Sequence, residues 1–207
     1  MGSLTESIIN NLYLMLPRQM IWYHLDRRVQ ESVKVTKWAK EQLYDNEVLL
    51  QKLIVDNNLL GNTEDQTAIN ILRFVKDNIK YVSDITQYKT VEYWADVDET
   101  WNNKKGDCED GAALIFCLCR QAGIPNNRVM LAAMNVKGGG HCTVRYVSDR
   151  YPFVIFFLDW CYWYDSRKIP ARTAYLEDNK TGKIILPKPC NYYDYWWLTD
   201  DVNSIRW

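Results

Sequence analysis

The stretch Gly106-Asp107-Cys108-Glu109-Asp110-Gly111, followed by an unbroken apolar run from Ala112 to Cys119, decides how this chain folds. Gly123-Ile124-Pro125 follows the run, and a glycine just past a helix with a proline soon after is a common stop signal. The pattern predicts a helix over residues 108–122. Cys108 then lies in the first turn of that helix.

The first part of the chain carries a different helical pattern. Apolar residues recur at helical spacing from Ile8 to Leu16 and again from Trp22 to Trp38. Pro17 separates these two stretches, because proline breaks a helix interior. The pattern stops at a Gly-Asn pair, so we predict an N-terminal helical extension over residues 1–62. The main domain then covers residues 63–207.

The main domain begins with a helix start signal. Thr63 and Gln66 have the spacing of a capping box, in which an N-cap hydroxyl is followed three residues later by Glu or Gln. An apolar helical face continues from there to Tyr81. Residues 82–105 are irregular and rich in Asp, Tyr, Trp and Thr, which predicts a long ordered loop. Loops of that length in compact domains are often functional.

Strand-like segments follow the cysteine helix. Three of them run over Arg128–Met134, His141–Val147 and Phe153–Asp159, with a turn at Ser148–Pro152 between the last two. A densely aromatic tail spans Tyr192–Trp197. The chain is therefore predicted to be α+β, with the cysteine helix packed on an antiparallel sheet.

Composition excludes some classes of function. The 207 residues carry 25 basic and 26 acidic side chains, so no basic surplus exists to neutralise a nucleic-acid backbone. The most apolar runs, such as Phe153–Leu158, are far shorter than the roughly 20 residues of a membrane-spanning helix. The first residues lack the basic and apolar regions of a secretory signal, which predicts a cytoplasmic location.

The cysteines indicate nucleophilic chemistry better than metal structure. Six are present at irregular spacing, without the paired ligands of a structural zinc site. At a helix N-terminus, unpaired N–H groups and the helix dipole lower a thiol pKa and favour the reactive thiolate. Glu109 and Asp110 oppose this, so Cys108 needs an imidazole partner. His24 and His141 are the two histidines.

His141 has the better context for that role. Three glycines, Gly138 to Gly140, precede it and leave backbone room for a close approach, and it opens a strand. A turn centred near Arg150 places it opposite Asp159, within about 5 Å between Cβ atoms. Asp159 would then fix the imidazole tautomer. Asp165 is the alternative acid if the strand register differs.

Several segments resemble the signature of bacterial transglutaminase-like cysteine proteinases over about residues 65 to 165. They are Asn78–Asp84, Tyr93–Thr100, Gly106–Asp110, Gly123–Pro125, Gly140-His141 and Leu158-Asp159. The resemblance implies a papain-like fold and a triad of Cys108, His141 and Asp159. It also implies acyl transfer on a protein or peptide substrate through a thioester, with no cofactor required by the reaction itself.

The resemblance extends to a metal and to an oxyanion hole. In the periplasmic proteases of this family the acidic residues flanking the cysteine bind calcium, and Asp107 and Glu109 stand at the matching places. The backbone N–H of Cys108 is one natural donor to an oxyanion. Trp94 or Tyr93, from the long loop, is the expected second donor.

Two departures from the family pattern bear on function. Gly111-Ala112 replaces the usual tyrosine-alanine, and Asp159–Trp163 is unusually aromatic and similar to phage-encoded relatives. We expect a peptidase or amidase with water as acyl acceptor. One alternative is a virion structural or interaction protein, with the helical first third and residues 192–197 as its interface. Another is a protein-cross-linking transglutaminase.

Overall fold

The computed structural model describes residues 18–162, 174–188 and 190–207, with side chains from residue 32 onward. The described helices are α1 (Arg18–Asp45), α2 (Glu47–Asp56), α3 (Glu64–Asn78), α4 (Asp84–Gln87), α5 (Val97–Asn103) and α6 (Cys108–Gln121). The described strands are β1 (Lys80–Tyr81), β2 (Lys105–Gly106), β3 (Val129–Val136), β4 (Gly139–Val147), β5 (Ile155–Leu158), β6 (Leu176–Asp178), β7 (Lys183–Leu186), β8 (Tyr192–Thr199) and β9 (Ser204–Arg206). The expected helix over residues 8–16 lies outside the described residues.

The fold is α+β, as predicted. Strands β5, β4, β3, β8, β7 and β6 lie side by side in that order, and β9 also pairs with β8. The contacts of β3 with β4 and β8, and of β4 with β5, are antiparallel. Strands β1 and β2 form a separate parallel pair just before the cysteine helix.

Helix α6 is the centre of the fold. It begins at Cys108 and ends at Gln121, and every residue from Glu109 to Cys119 is buried. A helix that is apolar around its whole circumference must be covered on all sides. Helices α1, α2, α3 and α5 and strands β3 and β4 pack around it. The predicted helix over 108–122 is confirmed.

The predicted start of α3 is also confirmed. The Thr63 hydroxyl accepts a hydrogen bond from the backbone N–H of Gln66 at 3.1 Å. The segment expected to be a loop over residues 82–105 instead contains the short helices α4 and α5. Helices of four and seven residues are too short to show a clear apolar period, which explains the difference.

The register of the hairpin formed by β4 and β5 differs from the expected one. Val144 pairs with Leu158 and Val147 pairs with Ile155, so the turn is centred on Tyr151. The offset of two residues leaves every side chain on the expected face, because strand side chains alternate with a period of two. His141 and Asp159 therefore share a face as diagonal neighbours.

The aromatic tail lies mostly in the core. Strand β8 occupies the middle of the sheet, between β3 and β7, and Tyr192, Tyr195 and Trp197 are buried there. Tyr193 is the exposed member of this group. Most of the segment considered as a partner interface therefore packs inside this chain.

The described part of the N-terminal extension packs on the main domain. Ala39 of α1 and Leu50 and Leu53 of α2 belong to the same buried cluster as the apolar residues of α6. The side chain of Gln42 donates to Asp96 at 2.7 Å and accepts from the backbone N–H of Val97 at 2.8 Å. No helix in the described residues combines the length and apolar character needed to cross a bilayer.

Candidate functional site

A cleft of about 700 Å³ opens at the N-terminus of α6. Cys108 and Glu109 contribute to its wall from α6, and His141 and Cys142 contribute from β4. The fold therefore brings the predicted nucleophile and base to one cavity. Residues of α1, β3, β8 and the 82–105 segment complete the lining.

His141 is paired with Asp159 as predicted. The Nε2 atom of His141 lies 2.7 Å from Oδ2 of Asp159, whose side chain is fully buried. The other carboxylate oxygen accepts from the backbone N–H groups of Cys161 and Tyr162, at 3.3 and 3.1 Å. The alternative acid, Asp165, and the side chain of His24 lie outside the described residues.

Tyr192 is a site residue that sequence reasoning missed. Its hydroxyl donates to Oδ2 of Asp159 at 2.8 Å, and the residue is almost completely buried. An acceptor on this side of the ring favours the tautomer of His141 that carries its proton on Nε2 and leaves Nδ1 as the acceptor nitrogen. The contact joins residues 33 positions apart, and no local sequence pattern signals it.

The thiol of Cys108 does not have the environment predicted for it. Burial raises the pKa of Cys108 far above its ordinary value, and the nearby carboxylate of Glu109 adds to the rise. The sulfur donates to Oε2 of Glu109 at 3.1 Å, and the backbone N–H of Cys142 bonds to the sulfur and opposes the shift. Among the described contacts the thiol bonds Glu109, not His141. Desolvation thus outweighs the helix N-terminus.

An acidic cluster lies beside the cysteine. Asp84, Asp107 and Glu109 each have one buried carboxylate oxygen without a hydrogen-bond partner, namely Oδ1, Oδ1 and Oε1. Asp84, Glu92 and Glu109 bring carboxylate oxygens within 4.8 Å of one another, and so do Asp84, Asp107 and Asp110. Asp84 belongs to both groups and was not predicted from the sequence.

The electrostatics of this cluster favour a bound cation. Burial, followed by the contact with Asp107, raises the pKa of Glu109 to about 10. Burial also raises the pKa of Asp84 and takes the pKa of Asp110 to about 7. Calcium prefers several oxygen ligands, including carboxylates, so the unpaired oxygens of this cluster fit that ion.

The two expected oxyanion donors occupy different places. Trp94 lines the cleft together with Cys108, and its indole N–H donates to Glu92 at 3.0 Å. The backbone N–H of Tyr93 donates to Asp84, and its hydroxyl donates to Glu99 at 3.1 Å. Both donors of Tyr93 are therefore engaged by carboxylates.

The departures at Gly111 and Trp160 explain each other. A Cβ atom on residue 111 would lie 2.2 Å from Cε2 of Trp160, so the indole occupies the space that a side chain would need. The Trp160 indole N–H donates to the carbonyl oxygen of Cys108 at 3.3 Å. Trp160 follows Asp159 directly, so this contact holds the acid segment against the start of α6.

We expect Gly111→Ala to lower the free energy of unfolding by about 1–3 kcal/mol, the usual effect of overpacking. Urea unfolding measures this change. A double-mutant cycle with Trp160→Ala provides the control, because removal of the indole should make the added methyl group nearly neutral. Additive effects would show that the indole does not fill this space.

Comparisons with known proteins agree with the fold. Residues 56–156 match the family model for the transglutaminase-like superfamily, whereas the curated proteins contain no match to the sequence. The structure of Legionella pneumophila LapG is similar at a TM-score of 0.54 and 15% identity, over 84% of this chain and 87% of that one. EGTA-treated LapG gives a TM-score of 0.54 at 15% identity, over 84% of each chain. Residues 56–156 therefore match the core of the transglutaminase-like superfamily.

Proposed function

We propose that this protein is a cysteine peptidase or amidase that transfers an acyl group from a protein or peptide substrate to water. Cys108 is the nucleophile, His141 the base and Asp159 the residue that orients the imidazole. The observation that carries the proposal is the buried pair of His141 and Asp159, 2.7 Å apart, in the cleft where α6 begins with Cys108. The superfamily includes cysteine proteases, which supports it.

The geometry suggests how the residues divide the work. The Nε2–H group of His141 donates its hydrogen bond to Asp159. Nδ1 is therefore left to accept the proton of Cys108. The sulfur then attacks the substrate carbonyl, and the imidazolium returns the proton to the leaving amine. A water molecule, deprotonated by the same nitrogen, hydrolyses the resulting thioester.

The negative charge that develops on the substrate carbonyl oxygen needs hydrogen-bond donors to stabilise it. The backbone N–H of Cys108 lies in the first turn of α6, where helix N–H groups lack partners within the helix. We propose it as one oxyanion donor. Trp94 is the preferred second donor because it lines the cleft and its indole N–H would have to leave only Glu92, whereas both donors of Tyr93 bond to carboxylates.

A cation accounts for acidic side chains beside a thiolate. Asp107, Glu109 and Asp84 would hold calcium through the carboxylate oxygens that lack partners. When bound, calcium supplies positive charge that favours the ionised sulfur. Calcium on Oε1 of Glu109 would also draw charge away from Oε2 and weaken its hydrogen bond with the Cys108 thiol.

We expect calcium to stabilise the protein against heat after complete removal of metal by a chelator. At a calcium concentration of about 100 times the dissociation constant, binding adds about 2.7 kcal/mol to the free energy of unfolding. Differential scanning calorimetry measures the shift in Tm, which should largely vanish in Glu109→Gln. Glu47→Gln, an exposed change on α2, is the control and should keep the shift. An equal shift in all three proteins would exclude Glu109 as a ligand.

The function itself is tested on the unmodified chain. Calcium-treated protein is incubated with a library of internally quenched fluorogenic peptides, before and after alkylation with iodoacetamide. We expect hydrolysis that stops when mass spectrometry shows an adduct on Cys108. Hydrolysis that survives complete alkylation of Cys108 overturns the mechanism. An inert protein that copurifies with a larger particle overturns the enzymatic proposal in favour of an interaction role.

A further inference from the structure

A second group of metal ligands lies behind the imidazole. His141, Asp159 and Cys161 each place one ligand atom within 4.8 Å of the other two. We propose that these three side chains bind a zinc ion and that zinc bound there inhibits the enzyme. The inhibition rests on the proposed function, whereas the binding does not.

The donor set determines the type of metal. A thiolate and an imidazole select zinc over calcium or magnesium, which prefer oxygen ligands. Three protein ligands with one open position also form a common zinc arrangement. The acidic cluster of Asp84, Asp107 and Glu109 offers carboxylate oxygens instead. The chain therefore offers two sets of donor atoms with different metal preferences.

The separations of the ligand atoms are close to those expected in a tetrahedral zinc site. The sulfur of Cys161 lies 4.0 Å from Oδ1 of Asp159, and Nε2 of His141 lies 2.7 Å from Oδ2. Zinc bonds of about 2.0–2.3 Å in a tetrahedron place ligand atoms roughly 3.3–3.7 Å apart. Each quoted separation would change by under about 1 Å, and the three ligand atoms already lie within 4.8 Å of one another. The backbone N–H of Cys161 bonds to Asp159, which fixes the chain in the required turn.

The surroundings also suit a bound ion. Asp159 is fully buried and His141 is 8% exposed, so water competes weakly for either ligand. Cys161 is only partly buried as a residue, so it is the most accessible of the three ligands. The ring of Tyr162 lies over the imidazole, with centroids 5.4 Å apart, and shields it further.

Proton balance explains the inhibition. Zinc takes the lone pair of Nε2, so the proton on that nitrogen moves to Nδ1 and the imidazole stays neutral. The thiol of Cys161 releases its proton to solvent when it becomes a ligand. With Nδ1 protonated, His141 has no lone pair left to accept the proton of Cys108. Zinc therefore stops the reaction without touching the nucleophile.

Cobalt(II) provides a direct probe, because a thiolate ligand gives it a charge-transfer absorption in the near ultraviolet. Full-length protein in saturating calcium is titrated with cobalt, and zinc is then added to displace it. We expect the band in the unmodified chain and in Cys190→Ser, and its loss in Cys161→Ser. A band that persists in Cys161→Ser, or that disappears in Cys108→Ser, overturns the assignment.

A second measurement needs no variant. Zinc should slow the alkylation of Cys161 in the unmodified chain, with Cys190 as the internal reference in the same mass-spectrometric digest. Equal rates with and without zinc would contradict the site. This result does not depend on whether Cys161→Ser folds correctly.

The consequence for activity is measured last. Zinc should inhibit hydrolysis of the fluorogenic peptides, and Cys161→Ser should need at least about 10-fold more zinc for half-inhibition, each protein being compared with its own zinc-free rate. Equal sensitivity to zinc would remove the inhibitory role. If no variant hydrolyses peptides, the proposed function fails, and the cobalt band alone still decides the metal site.

Discussion

Replacing Cys108 by alanine should lower kcat/KM for peptide hydrolysis by about 10⁶-fold, the scale of removing the nucleophile from a catalytic triad. The effect is this large because the thioester then has no atom on which to form. Hydrolysis of the fluorogenic peptide library measures the loss. Fold integrity is checked by the urea unfolding curve, because Cys108 is only partly buried and its truncation leaves a small cavity.

Cys190→Ala is the matched control for this experiment. Cys190 is also partly buried, but it lies just before β8 and is not part of the cleft wall in the described residues. The Cys190→Ala protein should hydrolyse the peptides at the same rate as the unmodified chain. A Cys108→Ala protein that folds and retains activity would assign the nucleophile to another residue.

Asp159→Asn should lower kcat by about 10⁴-fold with little change in the fold. An amide can donate to Nε2 of His141, and the imidazole then carries its proton on Nδ1, where it cannot accept the thiol proton. The same peptide assay measures the loss. Retained activity would exclude Asp159 as the residue that orients the base.

Two companion variants sharpen this result. Asp165→Asn should leave the rate unchanged, and a loss comparable to that of Asp159→Asn would restore Asp165 as the acid. Tyr192→Phe removes one charge-assisted hydrogen bond of 2.8 Å from the Asp159 carboxylate. We expect a rate loss of roughly 10- to 100-fold, in line with about 1.5–3 kcal/mol for such a bond.

The sequence determined the central helix and its contents. The apolar run after Gly-Asp-Cys-Glu-Asp and the stop signal at Gly123-Ile124-Pro125 are local features, and α6 begins and ends where they indicate. The Thr63 cap is equally local. Local signals of this kind depend on residues within one or two turns, so they are readable before any tertiary contact is known.

The pairing of His141 with Asp159 was predictable for a more limited reason. The period of two along a strand fixed the face, although the expected register was wrong by two residues. Register depends on turn geometry, and the Ser148–Pro152 segment has no strong two-residue turn signal to define it.

The glycines before His141 show a similar limit to what the sequence can predict. The three glycines before His141 indicated a close approach, but the approaching group could not be named. In the structure a Cβ atom on Gly140 would lie 2.4 Å from the ring of Trp196, more than 50 residues away. The sequence marks where space is needed, whereas the packing decides what fills it.

Only the tertiary structure decided the chemistry around the sulfur. Tyr192 reaches Asp159 because β8 inserts into the middle of the sheet. Asp84 joins Asp107 and Glu109 because β1 and β2 pair in parallel and place the residues that follow them side by side. These contacts join distant residues, and the burial they create raises the pKa of Cys108 instead of lowering it. The sequence alone predicted Cys108, His141 and Asp159 as the residues of the proposed chemistry, since helix starts and strand faces are local. Their solvation and charge state depend on long-range packing, which no local pattern encodes.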